Sequence, residues 1–181
     1  MSLALLVMSI PVFWKQQMAR LVRLPFMNWL MYLGIYLVVP RHRVGVTAVA
    51  LDDQQRVLLL RHVFHPHVPW GLPGGWLNRG EDPSVGVLRE LREEVGLTAD
   101  LGPVLHISRD PYPTHITIAF AIHLHPGEMK LSPEIIAADW FAVDALPELF
   151  PFMRAAIETA VSMQSAQSQA VNRQNLQTEI D

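Results

Sequence analysis

A chain of 181 residues, half of them apolar and 17% charged, is long enough for one domain with a substantial core. A net charge of −3 gives no general basic surface for nucleic acid, and no specific nucleic-acid partner is indicated. The absence of cysteine excludes a disulfide framework and thiol chemistry.

Residues 1–42 form an apolar, basic N-terminal extension. Through residue 43 the chain carries Lys15, Arg20, Arg23, Arg41 and Arg43 and no Asp or Glu, a balance of +5, while the remainder has a balance of −8. Leu24 to Val39 has Asn28 as its one clearly polar side chain, and Trp14, Trp29, Tyr32 and Tyr36 are spread through the segment. A cleaved signal peptide fits poorly, because basic residues follow the first apolar run and no small-residue cleavage site is evident. A spanning helix needs about 20 apolar residues, and this run is shorter, with Pro25 and Pro40 at its ends. Two readings stay open: an interfacial membrane anchor, or a helical extension packed on the domain or on a second subunit in a homodimer. The expected location is cytoplasmic, peripheral to a membrane in the first case.

Residues 43–163 read as the folded domain. Val44 to Leu51 and Arg56 to Arg61 are Val- and Leu-rich strands separated by the turn Asp52-Asp53-Gln54-Gln55. Arg61 to His67 holds three histidines in six residues. A transition-metal site competes with an irregular loop beside the active site, and the loop is favoured because no fourth ligand pattern accompanies it. Trp70 to Trp76 has three glycines and a proline and reads as a tight turn where backbone can approach a ligand.

Asp82, Pro83 and Ser84 then announce a helix that runs from Ser84 to the stop at Gly96. Leu88, Leu91 and Val95 share one face, and Glu90, Glu93 and Glu94 share the opposite one. Like charges at such spacing destabilise an isolated helix by a few tenths of a kcal/mol per pair. A solvated acidic face is the bland explanation, but oxygen ligands gathered on one face also suit Mg²⁺ or Mn²⁺ acting on phosphates.

Leu101 to Ser108 and Ile116 to His125 read as strands joined by Arg109 to Thr114, and Asp139 to Val143 as a short strand. His123 and His125 fall on one strand face and read as solvent-side residues. Pro147 to about Met163 reads as a helix, and residues 164–181 as a polar tail, disordered or a frayed helical extension.

The stretch from Gly75 to Leu97 has the form G-x5-E-x7-R-E-L-x-E-E-x-G-L. Chance yields such a match on the order of once in ten billion starting points, which sets this stretch apart from a chance pattern. Gly75, Glu81, Arg89, Glu90, Leu91, Glu93, Glu94, Gly96 and Leu97 resemble the Nudix box at every specified position, and Leu72 to Gly75 is similar to the usual lead-in. The resemblance covers roughly residues 43 to 160.

It implies an α/β/α sandwich with a mixed β-sheet, preceded here by the helical N-terminal extension. It also implies Mg²⁺- or Mn²⁺-dependent hydrolysis of the diphosphate bond in a nucleoside diphosphate linked to X, such as ADP-ribose or a nucleotide sugar. A nucleoside triphosphate pyrophosphohydrolase is the alternative, and a non-catalytic nucleotide-binding regulator a third reading. By resemblance, Glu93 and Glu94 are metal ligands, Glu90 a ligand or the base, and Arg89 an orienting residue. Glu81, Gly75 and Gly96 support the box, and the Gly74 carbonyl is a further ligand. Glu134, with Glu128 as competitor, occupies the place of an additional acidic ligand, against the plain reading of a surface carboxylate. Arg61, Phe64, Trp70 and Tyr112 are candidate contacts to a nucleotide-type substrate. Pro111 and Pro113, past the box, resemble the ADP-ribose branch.

Overall fold

The computed structural model describes residues 11–64, 66–111 and 114–178. The chain divides into two units, residues 1–41 and residues 42–181. The first contains helices α1 (Val12–Leu21) and α2 (Pro25–Val38), so the described part of the N-terminal extension is helical.

The second unit begins with two strands buried on both faces, which is why their sequences read as continuous apolar runs. β1 (Arg43–Ala50) directs Val46, Ala48 and Ala50 to one core and Val49 to another. β2 (Arg56–His62) does the same with Leu58 and Leu60 against Val57 and Leu59. Asp52 builds the turn between them. Its Oδ1 accepts the backbone N–H of Gln54 at 2.9 Å and of Arg56 at 2.8 Å, and Oδ2 accepts Arg56 Nε at 2.7 Å.

The remaining elements are β3 (Trp70–Gly71), β4 (Gly74–Trp76), α3 (Pro83–Val95), β5 (Ala99–Pro111), β6 (Thr114–Leu124), β7 (Ile135–Ala142) and α4 (Pro151–Thr178). A four-stranded mixed sheet has the order β4-β1-β6-β5, parallel only at β1–β6. A three-stranded antiparallel sheet has the order β3-β2-β7. One core joins β1, β2 and β6 to Val87, Leu91 and Val95 of α3; the other joins them to Met153, Ala156, Ile157 and Ala160 of α4. The architecture is the α/β/α sandwich with a mixed sheet.

Several local expectations are corrected. Trp70 to Trp76 is not a free turn: Trp70 and Gly71 pair with Arg61 and Leu60, and Gly74 to Trp76 pair with Thr47 to Gly45. The late strand starts at Ile135 rather than Asp139, and the last helix starts at Pro151 rather than Pro147. That helix continues through Thr178, so residues 164–178 are helical; residues 179–181 lie outside the described residues. β5 runs on to Pro111 and β6 begins at Thr114, with Pro111 opposite Thr114. β5–β6 pairing slips between Leu101 and Val104, where Pro103 lacks an N–H to donate.

Leu91 is fully buried where α3 meets both sheets. Leu91→Ala is expected to cost about 2–5 kcal/mol, measured as a lowered urea midpoint at unchanged slope.

Candidate active site

The helix that carries the box is held at both ends by its own sequence. Asp82 Oδ1 accepts the Ser84 N–H at 2.8 Å, Pro83 takes the first helical position, and Gly96 closes the helix at φ 71°. With Val87, Leu91 and Val95 in the core, the helix cannot rotate, and Glu90, Glu93 and Glu94 point away from that stripe. Their exposure differs: the Glu90 and Glu94 side chains are 15% and 13% exposed, and Glu93 is 60% exposed.

Arg89 ties the cluster together. Its Nε and Nη2 donate to the two oxygens of Glu81 at 2.8 and 2.9 Å, a two-pronged pair that fits the planar guanidinium. Nη1 donates to Glu90 Oε1 at 2.9 Å and Glu93 Oε2 at 3.0 Å, and Nη2 also reaches the Trp76 carbonyl at 3.1 Å. The Glu81 carboxyl is drawn down to about 2, first by the Arg89 hydrogen bonds and then by the Asn78 N–H. In turn, the Glu81 hydrogen bonds raise Arg89 above its ordinary value.

Glu94 lies in the opposite electrostatic setting. Burial pushes its carboxyl up to about 8, the Gly74 N–H donated to Oε2 at 2.8 Å opposes this, and the charges of Glu90, Glu134 and Glu93 add to it. Burial also raises Glu90, with the Arg89 hydrogen bond and charge opposing. Gly75 leaves room for the Glu90 carboxylate, because a Cβ there would stand 2.5 Å from Cδ of Glu90 and force that side chain to shift. His62, on the irregular end of β2, has Nδ1 3.9 Å from Glu94 Oε1.

The loop that brings Glu134 to this region is strapped by backbone. Ser132 N–H donates to the Glu94 carbonyl and Val63 N–H to the Glu134 carbonyl, each at 2.9 Å. Glu134 is therefore brought near enough for its charge to act on Glu94. Glu128, the competing residue, is exposed.

All the side-chain donors are carboxylate oxygens, and two of them bear charge that burial penalises. That donor set fits a hard divalent cation, which would offset the penalty. Among the described residues the carboxylates are not gathered as a ready-made cage of three. Arg89 holds Glu90 and Glu93 on its own side, and Gly74 meets Glu94 through its N–H.

Other candidates are scattered. Trp70 is half-buried and packs edge-on against Phe141, with ring centroids 4.8 Å apart, on the α4 side of the sheets. Arg61 is exposed on β2, and Phe64 is exposed beyond its end. Tyr112 and His65 lie outside the described residues, as does Pro113. His123 and His125 are exposed, with His125 Nε2 3.1 Å from Asp100 Oδ2.

Trp76 was not singled out as a contact, yet it stands edge-on to His115 at 4.7 Å, and His115 Nε2 lies 3.4 Å from Asp110 Oδ2. Thr117 Oγ1 donates to the same carboxylate oxygen at 2.6 Å. Next to this group opens a cavity of about 530 Å³ lined by His42, Arg43, Trp76, Asn78, Arg79 and Glu81, among others. A signal was present in the sequence: Trp76 and Arg79 lie inside the box, at positions its pattern leaves unspecified.

The raised Glu94 carboxyl gives a sign for stability. A group whose folded pKa exceeds its ordinary 4.5 stabilises fully below that value, and the contribution is lost as pH rises towards about 8. In chelator-treated protein, Glu94→Gln is expected to raise the melting temperature at pH 8 and to leave it nearly unchanged at pH 4 to 5. Thermal melts across that range check this, and equal shifts at both ends would contradict it.

Comparison with known proteins agrees with this geometry. A family model described as the NUDIX domain matches residues 41–160. The chain is 32% identical to an ADP-ribose pyrophosphatase of Methanocaldococcus jannaschii, over 56% of this chain and 66% of that protein. It is also 32% identical to an NAD-capped RNA hydrolase, NudC, of Vibrio vulnificus, over 65% of this chain but 47% of that protein. The chain thus spans about half the length of the NudC relatives it matches. Among solved structures, a MutT NUDIX hydrolase from Burkholderia pseudomallei superposes with a TM-score of 0.56 at 30% identity, covering 66% of this chain and 98% of that one. The fold, the box and the extent of these matches agree: the chain belongs to the Nudix family of hydrolases.

Proposed function

We propose that this hydrolase cleaves the diphosphate bond of a nucleoside diphosphate linked to X, with ADP-ribose or a nucleotide sugar as the substrate class. The reading rests on one observation above the rest: Glu94 is buried beside Glu90 and under the charge of Glu134, and the Gly74 N–H alone does not offset the cost of its ionised form. Glu90, Glu93, Glu94, Glu134 and the Gly74 carbonyl would hold Mg²⁺ or Mn²⁺. Bound there, the ion would polarise phosphate oxygens and lower the pKa of an attacking water.

The chain's own residues supply the rest. Glu90, raised by burial and oriented by Arg89, would serve either in that ligand set or as the base that accepts the proton of that water. Arg89 keeps Glu81 ionised and so holds the loop before α3 against the helix. The cavity beside Trp76 is within the size range of small-ligand sites, and Arg43 and Arg79 on its rim suit an anionic substrate. The name of the Methanocaldococcus relative supports ADP-ribose within this class. Products would be a nucleoside monophosphate and phosphorylated X.

The test is a substrate panel of ADP-ribose, nucleotide sugars, dinucleotides, triphosphates and capped RNA, each with Mg²⁺, with Mn²⁺ and with chelator. Turnover of ADP-ribose or a nucleotide sugar to the monophosphate, lost with chelator, is expected. Pyrophosphate released preferentially from triphosphates would favour the triphosphate reading instead. Glu90→Gln is expected to lower kcat by about 10²- to 10⁴-fold. Full hydrolysis by the double variant Glu93→Gln/Glu94→Gln would remove these carboxylates from the reaction.

Gly75→Ala provides a purely geometric check. The added methyl would displace the Glu90 carboxylate, so kcat is expected to fall about 100-fold or more, with an unchanged far-ultraviolet circular dichroism spectrum. Activity close to the parent's would show that the position of Glu90 is not critical.

A further inference from the structure

Hydrolysis leaves the chemistry of residues 11–41 unused. On α1, Trp14, Met18 and Leu21 recur at i, i+4 and i+7 as one stripe, with Gln16 and Arg20 on the opposite face. The α2 sequence PFMNWLMYLGIYLV has apolar residues on every side and Asn28 as its one clearly polar residue. Among its described residues this unit shows no core: α1 buries no residue, and on α2 Trp29, Tyr32 and Leu37 are 68%, 74% and 72% exposed. A helix apolar all round belongs in a core or in lipid, whereas packing on one protein surface needs only a stripe.

Length argues against a crossing by either helix alone. At 1.5 Å per residue, α2 is about 21 Å long and α1 about 15 Å, against a hydrocarbon core of about 30 Å. No single described helix is long and apolar enough to cross, and the two are bent by 103° at the break between them. Charge selects the kind of surface. Lys15 and Arg20 lie on α1, Arg23 between the helices and Arg41 after α2, with no acidic residue among them, and the Arg41 guanidinium lies 3.6 Å over the Tyr36 ring. Trp and Tyr beside Lys and Arg are the residues that favour the headgroup region. A second copy of the segment would bring like charges together.

We propose that α1 and α2 form a monotopic anchor. The anchor seats its apolar and aromatic side chains at the headgroup–acyl boundary of an anionic phospholipid bilayer and sets Lys15, Arg20, Arg23 and Arg41 among the phosphates. The hydrolase then works at a membrane surface.

Flotation of the full chain with vesicles tests this, using phosphatidylcholine alone or with about one-third phosphatidylglycerol. The protein is expected to float with the anionic vesicles. The variant Trp14→Ser/Trp29→Ser/Tyr32→Ser/Tyr36→Ser is expected to remain unbound while hydrolysing soluble substrate at the parental rate. The variant Lys15→Gln/Arg20→Gln/Arg23→Gln/Arg41→Gln is expected to lose about fivefold in partitioning per charge, on anionic vesicles only. A parent protein that stays unbound as a monomer overturns the proposal in favour of helices packed on their own chain. One that stays unbound as a dimer, dispersed by the aromatic substitutions, overturns it in favour of a second copy. Protease protection of a tag placed before Met1 on sealed vesicles would show that α2 crosses, overturning the monotopic arrangement. Activity is read separately in every case, so failure of flotation leaves the hydrolase reading intact.

Discussion

Burial of Val87, Leu91 and Val95 is the constraint on which the site depends. A helix lying on a sheet keeps one free choice, rotation about its own axis, and a buried stripe removes it. The directions of Arg89, Glu90, Glu93 and Glu94 follow from that choice. A set of like charges on one helix is unfavourable by itself, and here it is tolerated because the opposite face is anchored in the core and Arg89 lies between Glu81, Glu90 and Glu93. Core packing and charge placement are thus two consequences of one helical period.

Carboxyl groups of ordinary similarity are driven apart by their surroundings. Glu81 accepts two hydrogen bonds from Arg89 and one from Asn78, and is held ionised. Glu94, buried among neighbours of its own sign, resists ionisation. Such divergence separates structural from reactive roles within one cluster. Glu81 acts as a fixed anion that positions the guanidinium. Glu94 is the member of the cluster whose ionised form stands in need of a cation.

What could be read from the sequence was whatever local spacing determines. The box, the Asp82 and Gly96 caps of α3 and the apolar runs of β1 and β2 are local patterns, and their elements form where expected. Trp70–Gly71 and Gly74–Trp76 were not legible as strands, because two or three residues have no periodicity and their pairing depends on β1 and β2. Pro147 and Pro151 are equally good first residues for a helix. Tertiary packing decides between them, with Leu149 buried ahead of the helix. Ile135 to Ala138 lacks alternation, which hid the start of β7. The approach of His62 to Glu94, and of Trp76 to His115, joins residues more than thirty positions apart and arises only from folding.

The Gly74 N–H bound to Glu94 has one more consequence. The same carboxyl that holds its proton to about pH 8 is fastened to the edge strand of the mixed sheet. On the proposed ligand set, a divalent cation taken up at Glu94 at neutral pH would displace that proton, and its uptake would be linked to proton release and strengthen as the solution becomes more alkaline. Because the fastening runs through backbone, loading is coupled to the edge of the sheet itself. The rate of amide exchange at Gly74 would then be a local gauge of occupancy, readable without any substrate present.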